Sequence, residues 1–425
     1  MSSITESKDQ EKIEGEKDDL QFYIKKIYEP NLRKLLRRCD TCARCTGVCQ
    51  VSKVQKFTPS RIIQMILEGF EDKIIESGVL WDCLMCNSCL QSCPKGINFV
   101  DIVRIARYKM RMKETQNLDR IIAHKGIYPM MSEIMSSKNI GIERPLDWIP
   151  SECNISEKGE LLYYVGCLPY FNYEFENLDS IAESTLKMIC RLEQEPIVVL
   201  KEEICCGHDL YWGQAKFEVF IELAKRNIDN FEKAGISKIV TACAECYRTL
   251  KIDYPNLFED FNHKFEVKHI IEYIFDKWKE GKIKFKAPEV TNEIIPFTFH
   301  DPCRLSRFLP KDNNILDKVR EIFGSFKKIG YEFREMEHNR EYSYCCGVNS
   351  WMNCNEKSKA LRYKRFLEAK AVGQKMITSC PKCRIHLTCL RKDYVDFSSI
   401  EIEDFSEFLV DKIEIIDKDI SKEVK

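Results

Sequence analysis

At 425 residues the chain is long enough for two or three domains, since single domains usually hold about 100–200 residues. Its 66 basic and 67 acidic side chains nearly cancel, which excludes a global field aimed at nucleic acid or an anionic membrane. No stretch reaches the ~18 apolar residues of a spanning helix and the N-terminus lacks a signal-peptide core, so a cytoplasmic location is expected. There the 22 cysteines read as metal ligands rather than structural disulfides.

Residues 1–20 are polar and highly charged, and are expected to be a disordered arm. From 21 to 112 apolar residues recur at helical spacing around two cysteine groups, with SRIIQMILEGF the clearest helix, which predicts a small all-helical domain. The first group, CDTCARCTGVC, supplies Cys39, Cys42, Cys45 and Cys49, and the second, CLMCNSCLQSCP, supplies Cys83, Cys86, Cys89 and Cys93. Each is the C-x2-C-x2-C-x3-C run that wraps a cubane [4Fe-4S] cluster, and the last cysteine of such a run ligates the other cluster. One cluster is therefore expected on Cys39, Cys42, Cys45 and Cys93, the other on Cys83, Cys86, Cys89 and Cys49. Zinc fits poorly, because two complete ferredoxin-type runs are more than a zinc site asks for. One departure is Gln50 after Cys49, where Pro94 follows Cys93 as the run prescribes.

Turn formers in 113–158 suggest a linker. Beyond it, ELLYYVGC, EPIVVL and SKIVTACAEC read as strands alternating with the helical QAKFEVFIELAKRNIDNFEKAG, the pattern of a parallel α/β sheet. The plan then repeats in IIPFTFHDPC, NEKSKALRYKRFLEAKAVG and QKMITSCPKC. Cys167, Cys205 and Cys243 recur 136, 140 and 137 positions later as Cys303, Cys345 and Cys380. A duplication with domains at 159–285 and 286–413 explains the spacing, followed by a charged tail at 414–425. The fold class expected is therefore α+β multidomain: a helical two-cluster domain, then two α/β domains with parallel sheets.

Each repeat carries five cysteines at the C-terminal ends of strands, where open parallel sheets gather ligands. The first set is Cys167, Cys205, Cys206, Cys243 and Cys246; the second is Cys303, Cys345, Cys346, Cys380 and Cys383. Five thiolates exceed what one tetrahedral zinc needs. This arrangement, with CCG at 205–207 and again at 345–347, resembles the CCG domains of heterodisulfide reductase. The order of a ferredoxin part before two CCG domains resembles the form of that family in which both parts are fused in one chain, over about residues 20–413. The resemblance implies a noncubane [4Fe-4S] cluster on each five-cysteine set. It thus implies four clusters in all, with the ten CCG-set cysteines catalytic, and reduction of the coenzyme M–coenzyme B disulfide to two thiols in one-electron steps. Related electron-transfer proteins of flavin-dependent glycolate or lactate oxidation share the layout and give the alternative reading.

No glycine-rich flavin or nicotinamide fingerprint is present, so the electron donor is expected to be another protein. By resemblance it is a membrane b-type cytochrome, which would hold the chain at the inner face of the membrane; a soluble flavoprotein is the alternative. His208 and His300 are candidates for delivering protons to product thiolates, against the commoner role of fixing a loop. Lys382, Arg384, Arg304 and Arg307 read either as attractors of an anionic substrate group or as solvated charges. Cys190 and Cys389 sit in helical stretches and are expected to be core, while Cys153 and Cys354 belong to neither set.

Overall fold

The computed structural model describes residues 32–112, 127–137, 146–171, 177–286, 294–347 and 355–416. The N-terminal arm and Cys354 lie outside them. Residues 32–112 are helical with no strand among them. The Pro59–Leu67 helix opens on a proline, whose fixed φ suits a first turn, and buries Ile62, Ile63 and Ile66. The Phe99–Met112 helix packs Phe99, Val100, Ile102 and Val103 toward the same core, where Phe99 meets Phe57 edge-on at 6.2 Å.

The first repeat forms a parallel sheet in the order β1 (Ile155–Ser156), β3 (Ile197–Val198), β2 (Leu161–Tyr163), β4 (Lys238–Thr241), β5 (Glu266–His269). In the second, β10 (Glu401–Asp404), β9 (Lys375–Thr378), β7 (Ile295–His300) and β8 (Tyr331–Phe333) are also parallel, in the order equivalent to β5-β4-β2-β3. Both sheets are covered on two faces, which is why their strands read as continuous apolar runs.

The repeats meet about an internal two-fold. The Asp179–Leu192 helix packs on Phe405–Leu409, and its equivalent Ile315–Ser325 packs on Ile270–Lys279, so each repeat lends the same two helices to the other. The strands β6 (Ile283–Phe285) and β11 (Ile413–Ile415) pair antiparallel across the axis with Lys284 opposite Glu414, and these two side chains form an ion pair at 2.8 Å. Two expected boundaries shift as a result. The linker assigned to 113–158 already contributes β1, and the tail assigned from 414 begins inside β11, because each end of the duplicated unit is recruited to a sheet edge that needs covering.

Candidate iron–sulfur centre

The two ferredoxin runs fold alike. The second and fourth residues after the first cysteine of each run take left-handed backbone: Thr41 and Ala43 in one, Met85 and Asn87 in the other, with φ between 52° and 65°. None is glycine, and non-glycine residues persist in this region only where the surroundings impose it. The turn aims the thiols inward and lets backbone amides point at sulfur, as in the Met85 N–H to Cys83 Sγ bond at 3.4 Å and the Ile97 N–H to Cys93 Sγ bond at 3.3 Å.

Spatial neighbours cross between the runs. Cys45 lies within electrostatic range of Cys39 and Cys93, whereas Cys49 lies with Cys83, Cys86 and Cys89. Burial pushes the Cys83 thiol up to about 12 and raises Cys89 well above its usual value. Groups of thiols so unfavourable as bare anions suit a positively charged occupant, which deprotonates a coordinating thiol outright. The donor set therefore fits iron–sulfur clusters.

In the repeats, the thiols lie side by side in a continuous series. Cys167 meets Cys205, which meets Cys206; Cys206 meets Cys246, which meets Cys243. The second repeat copies this with Cys303, Cys345, Cys346, Cys383 and Cys380. The two series join where Cys243 contacts Cys380 across the two-fold. The glycine of each CCG is required by conformation and by space. Gly207 has φ +82° and a Cβ there would lie 2.5 Å from Phe220; Gly347 has φ +89° and its Cβ would lie 2.7 Å from Arg362.

The equivalent residues Glu245 and Lys382, which follow the first cysteine of each C-x-x-C by two positions, form an ion pair at 2.7 Å, and Lys382 also binds Asp209 at 2.5 Å. Lys382 and Asp209 are buried, and Glu245 is largely so. Burial opposes the Lys382 ammonium, yet Asp209 and Glu245 hold its pKa well above the usual, while burial pushes the Glu245 carboxyl up to about 8. Glu245 and Lys382 line both cysteine sets. The solvated-charge reading does not hold for Lys382, Arg304 and Arg307, which are at most 3% exposed. Arg304 Nη1 donates to the Met85 carbonyl at 3.1 Å, and Arg307 donates to the carbonyls of Cys86, Glu341 and Ser343. Arg384 pairs with Glu407 at 2.9 Å.

These contacts fasten the second cysteine run to the second repeat. Gln50, the departure from proline, belongs to the same contact: it is 5% exposed and its Oε1 accepts from the Cys345 N–H at 3.1 Å. A proline could not make this bond. The first repeat is held differently, through fully buried Arg107, which donates to the Leu80, Trp81, Cys83 and Gly213 carbonyls.

His208 is kept uncharged by burial and by Arg304, Lys382 and Arg248; its Nδ1 pairs with Thr249 at 2.8 Å, and its Nε2 side faces Glu245 at 3.6 Å. His300 is likewise uncharged and accepts from Arg365 at 3.1 Å, a loop-fixing role. Sequence reasoning missed three contributors. His386 lies 3.3 Å from Cys346 Sγ, and its position one helical turn after Cys383 was a usable signal. Glu203 accepts the Val165 and Gly166 amides and so ties the loop before Cys167 to the CCG loop. Ser132 comes from the linker helix Ile127–Ile134 and bonds Cys205, so this part of the linker forms a wall of the first set. Cys190, expected in the core as a free thiol, forms a disulfide with Cys153, with Cα atoms 5.4 Å apart. Cys389 is half-buried.

Comparison with known proteins agrees with this architecture. A model for a cysteine-rich domain matches residues 161–251 and 297–388, and one for a 4Fe-4S dicluster domain matches 35–97. The chain is 29% identical to a component of the dihydromethanophenazine:CoB–CoM heterodisulfide reductase of Methanosarcina mazei, over 79% of this chain and 77% of that one. It is 26% identical to a component of the fumarate reductase (CoM/CoB) of Methanothermobacter marburgensis, over 83% and 68%. It is 30% identical to a "Probable iron-sulfur-binding oxidoreductase" of Bacillus subtilis, over 73% of this chain and 43% of the relative.

Proposed function

We propose that this iron–sulfur oxidoreductase, a 4Fe-4S dicluster domain joined to two cysteine-rich domains, is the catalytic component of a disulfide reductase, with the mixed disulfide of coenzyme M and coenzyme B as its first candidate substrate. The observation that carries the reading is the meeting of Cys243 and Cys380 across the internal two-fold. Converting a disulfide to two thiols takes two electrons and two protons, and two complete five-cysteine sets side by side match that need. When bound, the clusters supply the electrons one at a time.

The chain's own residues order the four sets. Cys39, Cys42, Cys45 and Cys93 would hold the outer cubane, and Cys83, Cys86, Cys89 and Cys49 the inner one. Gln50, Arg304 and Arg307 fix the inner set against Cys345, so the second repeat faces the relay. The first repeat is then reached across Cys243 and Cys380. His208 is uncharged and has no proton to give, so the proton for a product thiolate comes from the Glu245 carboxyl, which burial pushes up to about 8 and which lines both cysteine sets, with His208 facing it. His300 is occupied by Arg365. Among the described residues no helix is long and apolar enough to cross a membrane, and a b-type cytochrome is the candidate membrane partner.

The test is anaerobic purification, iron analysis and turnover. Four [4Fe-4S] clusters correspond to roughly sixteen irons per chain. A chain so loaded should oxidise reduced benzyl viologen with the coenzyme M–coenzyme B disulfide faster than with either homodisulfide. A loaded chain that is bleached by the donor and turns over no disulfide is an electron-transfer protein instead.

A further inference from the structure

Among the cysteines of the four sets, Cys42 alone is exposed, so the Cys39–Cys49 run is where the array of thiols comes to the surface. The segment around it is strongly basic in a chain whose net charge is −1. Residues 32–67 hold eight Lys and Arg and a single carboxylate, Asp40. That carboxylate is answered by Lys95 at 3.1 Å. Lys34, Arg37, Arg38, Arg44 and Arg61 are all exposed.

The fold gathers these charges. The Cys39 N–H bonds the Leu36 carbonyl in the turn that ends the Leu32–Leu36 helix, and that helix packs on Pro59–Leu67, which carries Arg61. Thr46 Oγ1 pairs with Ser60 Oγ at 2.8 Å and accepts the Ser60 N–H, which holds the Arg44–Gly47 turn of helix against the start of Pro59–Leu67 and brings Arg44 beside the segment that carries Arg61. None of the five is paired with a carboxylate in any of the ion pairs that the described residues form, in contrast to Arg111, Lys187 and Lys216 elsewhere on the surface.

We propose that this face is the docking surface for the electron donor, and that the donor is a one-electron carrier protein presenting Asp and Glu side chains around its own redox centre. The proposal rests on the outer set being the entry point for electrons. Cationic groups with no carboxylate partner among the described residues, set around an exposed redox ligand, steer an acidic partner to the one place where transfer is short, and they raise the encounter rate without demanding a tight complex. An anionic lipid surface would meet the same charges but would bury Cys42 and deny it a donor.

The experiment is stopped-flow bleaching of the anaerobic, iron-loaded full chain by a pre-reduced acidic plant-type ferredoxin, with reduced methyl viologen as the small-molecule control. The bimolecular rate with ferredoxin should fall roughly tenfold or more between low salt and about 0.5 M salt. The triple variant Lys34→Glu, Arg37→Glu, Arg61→Glu should show a similar fall at low salt and lose its salt dependence, while Lys225→Glu with Lys233→Glu, exposed on the Phe217–Ala234 helix of the first repeat, should change little. Methyl viologen should bleach all three proteins alike. Ferredoxin reduction indifferent to salt and to charge reversal, with normal bleaching by the dye, overturns the docking proposal alone. So does a triple variant that keeps its ferredoxin rate and loses only binding to phosphatidylglycerol vesicles. Failure of the dye to bleach the parent chain removes the four-cluster reading as well.

Discussion

Cys243 and Cys380, equivalent residues of the two repeats, touch across the internal two-fold and join ten thiols into one series. Each is the residue before a helix, Ala244–Arg248 in one repeat and Pro381–Asp393 in the other, so both follow from where β4 and β9 end. The same axis that pairs β6 with β11 thereby fixes the separation of the two sets. Duplication of a domain has here produced a two-site centre rather than two independent ones.

Losing either set should then abolish disulfide reduction. Cys206→Ala and Cys346→Ala each remove the middle of one series, and each is expected to lower turnover with an artificial donor on the order of 100-fold or more, with the double variant no worse than the singles. The Cys39–Cys93 relay should remain reducible in all three, checked by EPR. A single variant that lacks its cluster and keeps near-normal turnover would show that one repeat suffices.

Cys93→Ser should disturb the cluster of Cys39, Cys42 and Cys45, because Cys93 neighbours Cys45 in space despite its distance in sequence. The measurement is EPR or Mössbauer comparison with Cys49→Ser, which should disturb the other cubane. Exchanged spectra between the two variants would mean that each run closes on itself.

Acid sensitivity should come in part from His269. It caps the Ile270–Lys279 helix by accepting the Ile271 N–H, is fully buried, and has its pKa lowered by burial to about 3 from 6.5. The unfolded chain therefore binds a proton that the folded chain refuses between these values, so stability rises with pH through this window and is lost on acidification. Between pH 7.5 and 5.5 the loss is on the order of 1 kcal/mol. His269→Asn keeps an acceptor at the cap and removes the titration, so its melting temperature should fall less between these pH values than that of the parent.

Much of this was legible in the chain. The two ferredoxin runs, the CCG repeats and their spacing of about 137 positions identify the cysteines and the duplicated sheets, because ligand spacing and strand ends are local properties. What the chain hid is who meets whom. Lys382, Arg304 and Arg307 look like surface charges in any window of sequence; only the packing of three domains buries them. Gln50 was visible as a departure, but its partner is 295 positions away. Ser132 sat in a stretch rich in turn formers, and no local pattern announces that such a helix will wall the first cysteine set.

The ion triad between the sets offers the sharpest separation of tuning from scaffolding. Lys382 and Asp209 belong to one buried cluster of charge, and deleting either breaks the same contact. If the contact only holds the repeats together, both deletions should move the CCG-set clusters in the same direction. If the charges act on the clusters directly, the two must act oppositely. Lys382→Gln removes a positive charge lining both sets and should lower their reduction potentials, whereas Asp209→Asn removes a negative charge lining the first set and should raise its potential. A unit charge several ångströms away at an effective dielectric constant near 20 shifts a one-electron couple on the order of 50–100 mV. EPR-monitored redox titration of the two variants reads the sign, and shifts of the same sign would assign the triad to structure alone.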